Sequence, residues 1–256
     1  MIRAGAQPFT ARSFDGAGID ALFFKAYQPR PDRLPVIMNH GYVEVKEMHR
    51  REVALLRHQG HDVLLYDLRA HGRSGGAFTT LGAWEKRDLK YLIDAAVAAG
   101  LIGDRVITMG YSTGAATMLQ HAADDERVAG VIALTPFRSM MTAVASFRRK
   151  FGGWIAEDKL LAGFECMAQR CGFHANDSDT AAAMRHLRVP VLLVVGDRDT
   201  HLPPDEHFKP LAAVAIGGNV RLLVVPGADH ISIYTRRWRE LEEAIVSFCG
   251  SLSAAG

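Results

Sequence analysis

The sequence predicts an α/β protein: a doubly wound, mostly parallel sheet of about eight strands, with helices on both faces. Three observations carry this expectation. Short, continuous apolar runs recur along the chain, as strands buried on both faces require. Amphipathic stretches of helical period alternate with them. The 256 residues also suit one large α/β unit, a class that often reaches about 250 residues in a single domain.

The elements follow in order. Residues 10–14 and 19–27 alternate about Asp15-Gly16-Ala17-Gly18 and predict an N-terminal hairpin. The apolar run 34–39 predicts the first parallel strand. Residues 45–58 set Val45, Met48, Val53, Leu55 and Leu56 among charges and predict a helix stopped by Gly60. A strand at 62–68, a helix at 83–99 closed by Gly100, a strand at 105–111, a helix at 113–123 and a strand at 128–134 continue the alternation. A strand at 190–195, a helix at 205–214, a strand at 220–225 and a helix at 236–252 complete it.

Residues 136–188 break this rhythm, with about fifty residues where one crossover helix would suffice. They are rich in large apolar side chains, Phe137, Met141 and Trp154 among them, and predict a helical insertion. Open sheets carry ligands at the carboxyl ends of their strands, so an insertion after a strand is expected to lie above the site as a lid. The expected organisation is one domain over residues 1–256 with the lid at 136–188.

Composition narrows the function classes. Hydrophobic residues make up 48% and charged residues 23%, and 30 basic against 28 acidic residues leave a net charge of +2. That balance gives no electrostatic case for nucleic acid or an anionic membrane. The cysteines, Cys166, Cys171 and Cys249, are too few for a disulfide framework, and no Cys/His cluster has zinc spacing. Residues 1–10 lack an apolar signal core, and no apolar run approaches the ~20 residues of a membrane span. These features lead us to expect a soluble, cytoplasmic protein without metal or organic cofactor. They are compatible with a homo-oligomer.

The sharpest chemical signal is Gly110-Tyr111-Ser112-Thr113-Gly114, between a predicted strand and a predicted helix. That context gives a G-x-S-x-G motif its meaning. A serine on so tight a turn exposes its hydroxyl above the sheet, at a helix N-terminus whose partial positive charge favours anionic character. The alternative for Ser112 is a helix N-cap between two glycines. A serine nucleophile needs a base, and His230, in Pro226-Gly227-Ala228-Asp229-His230 after the strand 220–225, is the best placed of the histidines. Both acids of Gly196-Asp197-Arg198-Asp199 are candidates to orient that imidazole. Asp199 lies farther into the loop and is preferred, with Asp197 left to brace the turn. The expected oxyanion donors are the backbone amides of Thr113 and of Tyr42 in Asn39-His40-Gly41-Tyr42. The ring of His40 is expected to hold that loop by hydrogen bonds.

These motifs, together with Asp67-Leu68-Arg69-Ala70-His71-Gly72-Arg73-Ser74, Pro203-Pro204 and the entry Phe14-Asp15-Gly16, resemble the α/β-hydrolase superfamily over nearly the whole chain, especially its esterase and serine-aminopeptidase-like branches. The resemblance implies a triad of Ser112, Asp199 and His230. Asp199 takes the acid's place because it is the fourth residue of a G-x-x-D element. The resemblance also implies that the 67–74 loop is structural. Two departures bear on substrate size: Tyr42 stands where Gly or Phe is usual, and Thr113 is bulkier than the usual residue.

The implied activity is hydrolysis of carboxylic esters of small to medium acyl chains, with a small-molecule acyl compound as partner. Phe137, Met141 and Trp154 are the expected lining of an acyl pocket. A peptidase or amidase, a thioesterase or an acyltransferase would use the same triad, and a non-catalytic binding member of the fold would need none of it. A dehalogenase is disfavoured, since that chemistry wants a carboxylate at position 112. The cluster Arg148-Arg149-Lys150 reads either as a solvated helix face or as a seat for an anionic substrate group, such as the phosphates of coenzyme A.

Overall fold

The computed structural model describes residues 5–151, 153–215, 219–234, 236 and 238–252. Among them lies one eight-stranded sheet of order β1-β2-β4-β3-β5-β6-β7-β8. The antiparallel hairpin β1 (Ala6–Arg12) and β2 (Gly18–Phe24) forms one edge, and β2 pairs antiparallel with β4 (Val63–Tyr66). From β4 onward every pairing is parallel, through β3 (Val36–Met38), β5 (Val106–Tyr111), β6 (Val128–Leu134), β7 (Val191–Gly196) and β8 (Val220–Val225). The doubly wound, mostly parallel sheet expected from the sequence is therefore present.

Burial explains why the central strands read as unbroken apolar runs. Successive side chains point to opposite faces of a strand, and here both faces are covered. Val131, Ala133, Val191 and Leu193 enter one core, against α2 (Glu85–Ala98), α3 (Thr113–Ala122), α6 (Thr180–His186) and α7 (Phe208–Val214). Ile132, Leu134, Leu192 and Val194 enter the other, against α1 (Arg50–His58) and α8 (Trp238–Ser251). Each such valine, leucine or isoleucine contributes roughly 1.5–3 kcal/mol by leaving water.

After β6 come α4 (Met140–Phe151) and α5 (Glu157–Arg170), and then α6, which packs on α3 and α7. Within the segment 136–188, α6 thus fills the crossover position, and α4 and α5 are the added pair. The residues just ahead of α6 are tied back to the sheet layer: Asp179 caps α6 by accepting the Ala182 amide at 2.9 Å, and Gln120 of α3 donates to Ser178 and Thr180.

The loop 67–74 is built around buried charge. Asp67 accepts the Lys46 and Arg73 amides at 2.8 and 2.9 Å and pairs with the Lys46 ammonium, which also meets Asp20 at 2.6 Å. Arg69 is buried and grips Asp88 through two bonds of 2.6 Å. Burial of an unpaired ion costs several kcal/mol, so these partners let the charges stay inside.

Candidate active site

Ser112 sits between β5 and α3 with φ 49° and ψ −113°. That backbone region costs a non-glycine residue about 1–3 kcal/mol. The turn is held by the Ser112 amide donating to Leu134 at 2.8 Å and its carbonyl accepting from Ala116 at 3.0 Å. The flanking glycines are required by space. A Cβ at Gly110 would overlap the Gly114 backbone and Asn39, and one at Gly114 would overlap Asn39 and the His40 carbonyl. The elbow is therefore packed hard against the end of β3.

The structure brings the three predicted side chains together. Ser112 Oγ lies 3.0 Å from His230 Nε2, and His230 Nδ1 lies 2.7 Å from Asp199 Oδ2. Asp199 is buried, and its second oxygen accepts the His201 and Leu202 amides at 2.9 and 2.8 Å. With Asp199 ionised, Nδ1 carries the proton and Nε2 accepts from the serine. Asp197 accepts the Gly227 amide at 2.6 Å and so braces the turn beneath His230. Asp229 accepts the amides of Ile231 and Ser232, shaping the loop rather than reaching the ring. Gly196 completes this junction, since a Cβ there would collide with Ala228.

The loop carrying Tyr42 is held from two sides. Glu44 accepts the Gly41 amide at 2.7 Å. Burial raises the carboxyl's pKa, but the His49 ring 3.4 Å away and the Gly41 amide outweigh it and keep Glu44 below the usual carboxylate range. His71 Nε2 accepts the Val43 amide at 3.3 Å, while its Nδ1 donates to the Arg69 carbonyl at 2.8 Å. Val43 needs that hold because its φ is 60°, in the left-handed region. His40 does hold the loop as expected: Nε2 accepts the Leu68 amide at 3.1 Å and Nδ1 meets the Gly41 carbonyl at 2.8 Å.

A cavity of about 1070 Å³ opens beside Ser112. Tyr42, Thr113 and Phe137 line it. The other two expected lining residues are placed elsewhere. Met141 packs into the cluster around Met140, Ala168 and Phe173, because it falls on the side of α4 that faces α5 and the loop after it. Trp154 is 86% exposed in the turn between α4 and α5 and stands outside the cavity. Sequence reading missed the apolar part of the larger wall, Val144 and Phe147 on α4 with Leu160, Phe164 and Met167 on α5; Arg148, singled out only as part of a basic cluster, lines it as well. Their signal is present as two stripes at helical spacing, 144-147-148 and 160-164-167.

The basic cluster is committed internally. Arg148 donates to the Ile155 and Gly153 carbonyls, Arg149 pairs with Glu206, and Lys150 donates to Thr200 and to His201 Nδ1 at 3.0 Å. The His201 ring lies 5.3 Å from that of His230. Burial and the Lys150 ammonium lower its pKa. Among the described residues no group of three or more His, Cys, Asp or Glu side chains is arranged to hold a metal ion, and no helix is long and apolar enough to cross a membrane.

An α/β sheet with a strained serine at a strand-to-helix elbow, bonded through histidine to a buried aspartate, defines the α/β-hydrolase class of architecture. The sequence profile of the alpha/beta hydrolase fold matches residues 35–162, half of the chain, and the chain belongs to that family. It is 25% identical over 241 residues to the Bacillus subtilis protein YqkD, itself described as uncharacterized, covering 90% of this chain and 76% of that one. Among solved structures, the Pyrococcus furiosus esterase Pf2001 superposes with a TM-score of 0.78 at 20% identity, over 96% of this chain and 92% of that one. The Exiguobacterium antarcticum esterase EaEST does so with a TM-score of 0.69 at 16% identity, over 95% of this chain and all of that one. At these identities the likeness is one of fold.

Proposed function

We propose that this protein is a serine hydrolase of carboxylic esters, with Ser112 as nucleophile, His230 as general base and acid, and Asp199 as the residue that orients and charges the imidazole. The observation that carries the reading is the unbroken chain of hydrogen bonds, 3.0 Å from serine to histidine and 2.7 Å from histidine to aspartate. The esterases among its structural neighbours support it as analogy only.

In this reading His230 Nε2 takes the Ser112 proton as Oγ attacks the ester carbonyl. The amides of Tyr42 and Thr113 hold the oxyanion, the second at the N-terminus of α3. The tetrahedral adduct expels the alkoxide, which takes the proton from His230. Water then loses a proton to the same nitrogen and attacks the acyl-serine, releasing the acid and restoring Ser112. Helices α4 and α5 serve as a lid over the acyl group. Replacing Ser112→Ala should lower turnover of p-nitrophenyl butyrate by about 10⁴-fold or more with the thermal transition retained. Activity close to wild type in that variant would remove Ser112 from the mechanism.

A further inference from the structure

The cavity beside Ser112 carries information on the substrate that the triad does not. Pockets that bury a drug-sized ligand run from about 300 to about 1,000 Å³, and this one, at about 1070 Å³, lies just above that range. Its wall away from the serine is hydrocarbon and aromatic: Val144, Phe147, Leu160, Phe164 and Met167 from the helices, with Leu81 from the loop before α2. A short acyl group would leave most of that wall facing water or void.

The acidic and basic side chains lining the cavity among the described residues are Glu44, His71 and Arg148. Each is engaged by the protein's own backbone. Glu44 holds the Gly41 amide, His71 the Val43 amide and the Arg69 carbonyl, and Arg148 the Ile155 and Gly153 carbonyls with Glu157 at 3.6 Å. To recruit any of them, a charged substrate tail would have to break bonds that shape the site. The cation nearest the apolar wall is thus spent on closing the α4–α5 turn, which argues against the phosphates of a coenzyme as its ligand.

We propose that the site takes neutral esters of a long, unbranched apolar chain, eight carbons or more, laid between α4 and α5. The proposal rests on the serine-hydrolase reading and extends it from reaction to substrate class. Burial of each added methylene in such a groove is worth about fourfold in binding.

The test is a series of p-nitrophenyl esters of two, four, eight and twelve carbons, each kept below its micelle concentration. The expected result is a kcat/KM that rises at least tenfold from four to eight carbons and has not fallen by twelve. Val144→Trp and Leu160→Trp, which fill the groove from opposite helices, should each cut the twelve-to-four-carbon ratio tenfold or more. Lys159→Ala, exposed on α5 and outside the cavity, should leave that ratio as in wild type. Ser112-dependent turnover with an optimum at two or four carbons, or ratios unmoved by both tryptophans, would overturn the substrate class while leaving the hydrolase reading intact. Absence of Ser112-dependent turnover across the whole series would overturn both.

Discussion

Ser112 and Val43 both occupy left-handed backbone, and both face the same cavity. Strain of this kind persists only where neighbours over-determine it. At Ser112 the neighbours are the sheet and two glycines. At Val43 they are His71 and the adjoining Glu44–Gly41 bond. His71 therefore holds the loop that carries Tyr42, and in the proposed mechanism it positions the Tyr42 amide and takes no part in proton transfer. His71→Ala should lower kcat for an ester about 10- to 100-fold with KM changed no more than about threefold, because the oxyanion donor is displaced while the groove is intact. His71→Gln, whose carbonyl can accept the Val43 amide, should recover much of that loss. Equal effects of the two substitutions, or a loss carried by KM, would reassign His71 to substrate binding. Residue-level reading of the sequence singles out Ser112, Asp199 and His230, which the structure joins by hydrogen bonds, because each stands at a strand end in a recognisable turn. It did not find the work of His71 or Glu44, because a hydrogen bond to a neighbouring loop's amide leaves no pattern in the chain.

At the scale of elements, the strands were the most legible parts. The predicted spans 128–134 and 220–225 are those observed for β6 and β8. The predicted helix 45–58 instead begins as a 3-10 turn, Lys46–His49, before α1. The reason is Lys46, whose amide and ammonium are both drawn to Asp67 on a distant loop. The hairpin strands lie a few residues earlier than predicted, since Phe14 turns away to pack edge-on against Trp84. The start of α7 is tied to α4 through His207, which accepts the Arg138 amide at 3.1 Å and meets Ser146 Oγ at 2.9 Å. Burial pushes the His207 pKa down to about 4. The folded state thus resists a proton that the unfolded chain accepts near pH 6.5, so this contribution is intact above that pH and is lost as pH falls from about 6.5 to about 4. The loss approaches about 3 kcal/mol at most. A thermal transition followed from pH 7 to 4 should fall steadily, and less steeply in His207→Gln. Parallel slopes for the two proteins would place the acid sensitivity elsewhere.

Across the whole molecule, the near-neutral charge and ordinary composition select no partner. The proposed function rests instead on the site, where Ser112, Asp199 and His230 come from three separate loops to the carboxyl edge of one sheet. The cavity wall is less legible in the sequence: Trp154 and Met141 stand out there as large residues, whereas the wall is set by which side of α4 and α5 faces the serine. The proposed hydrolysis requires Ser112 to be an activated nucleophile. The most direct measurement is covalent labelling by a fluorophosphonate, with the modified residue located by mass spectrometry. Stoichiometric phosphonylation of Ser112 that is abolished by His230→Ala, in a protein that remains folded, is the predicted result. A folded wild-type protein that takes no label, or takes it at another residue, would contradict the account.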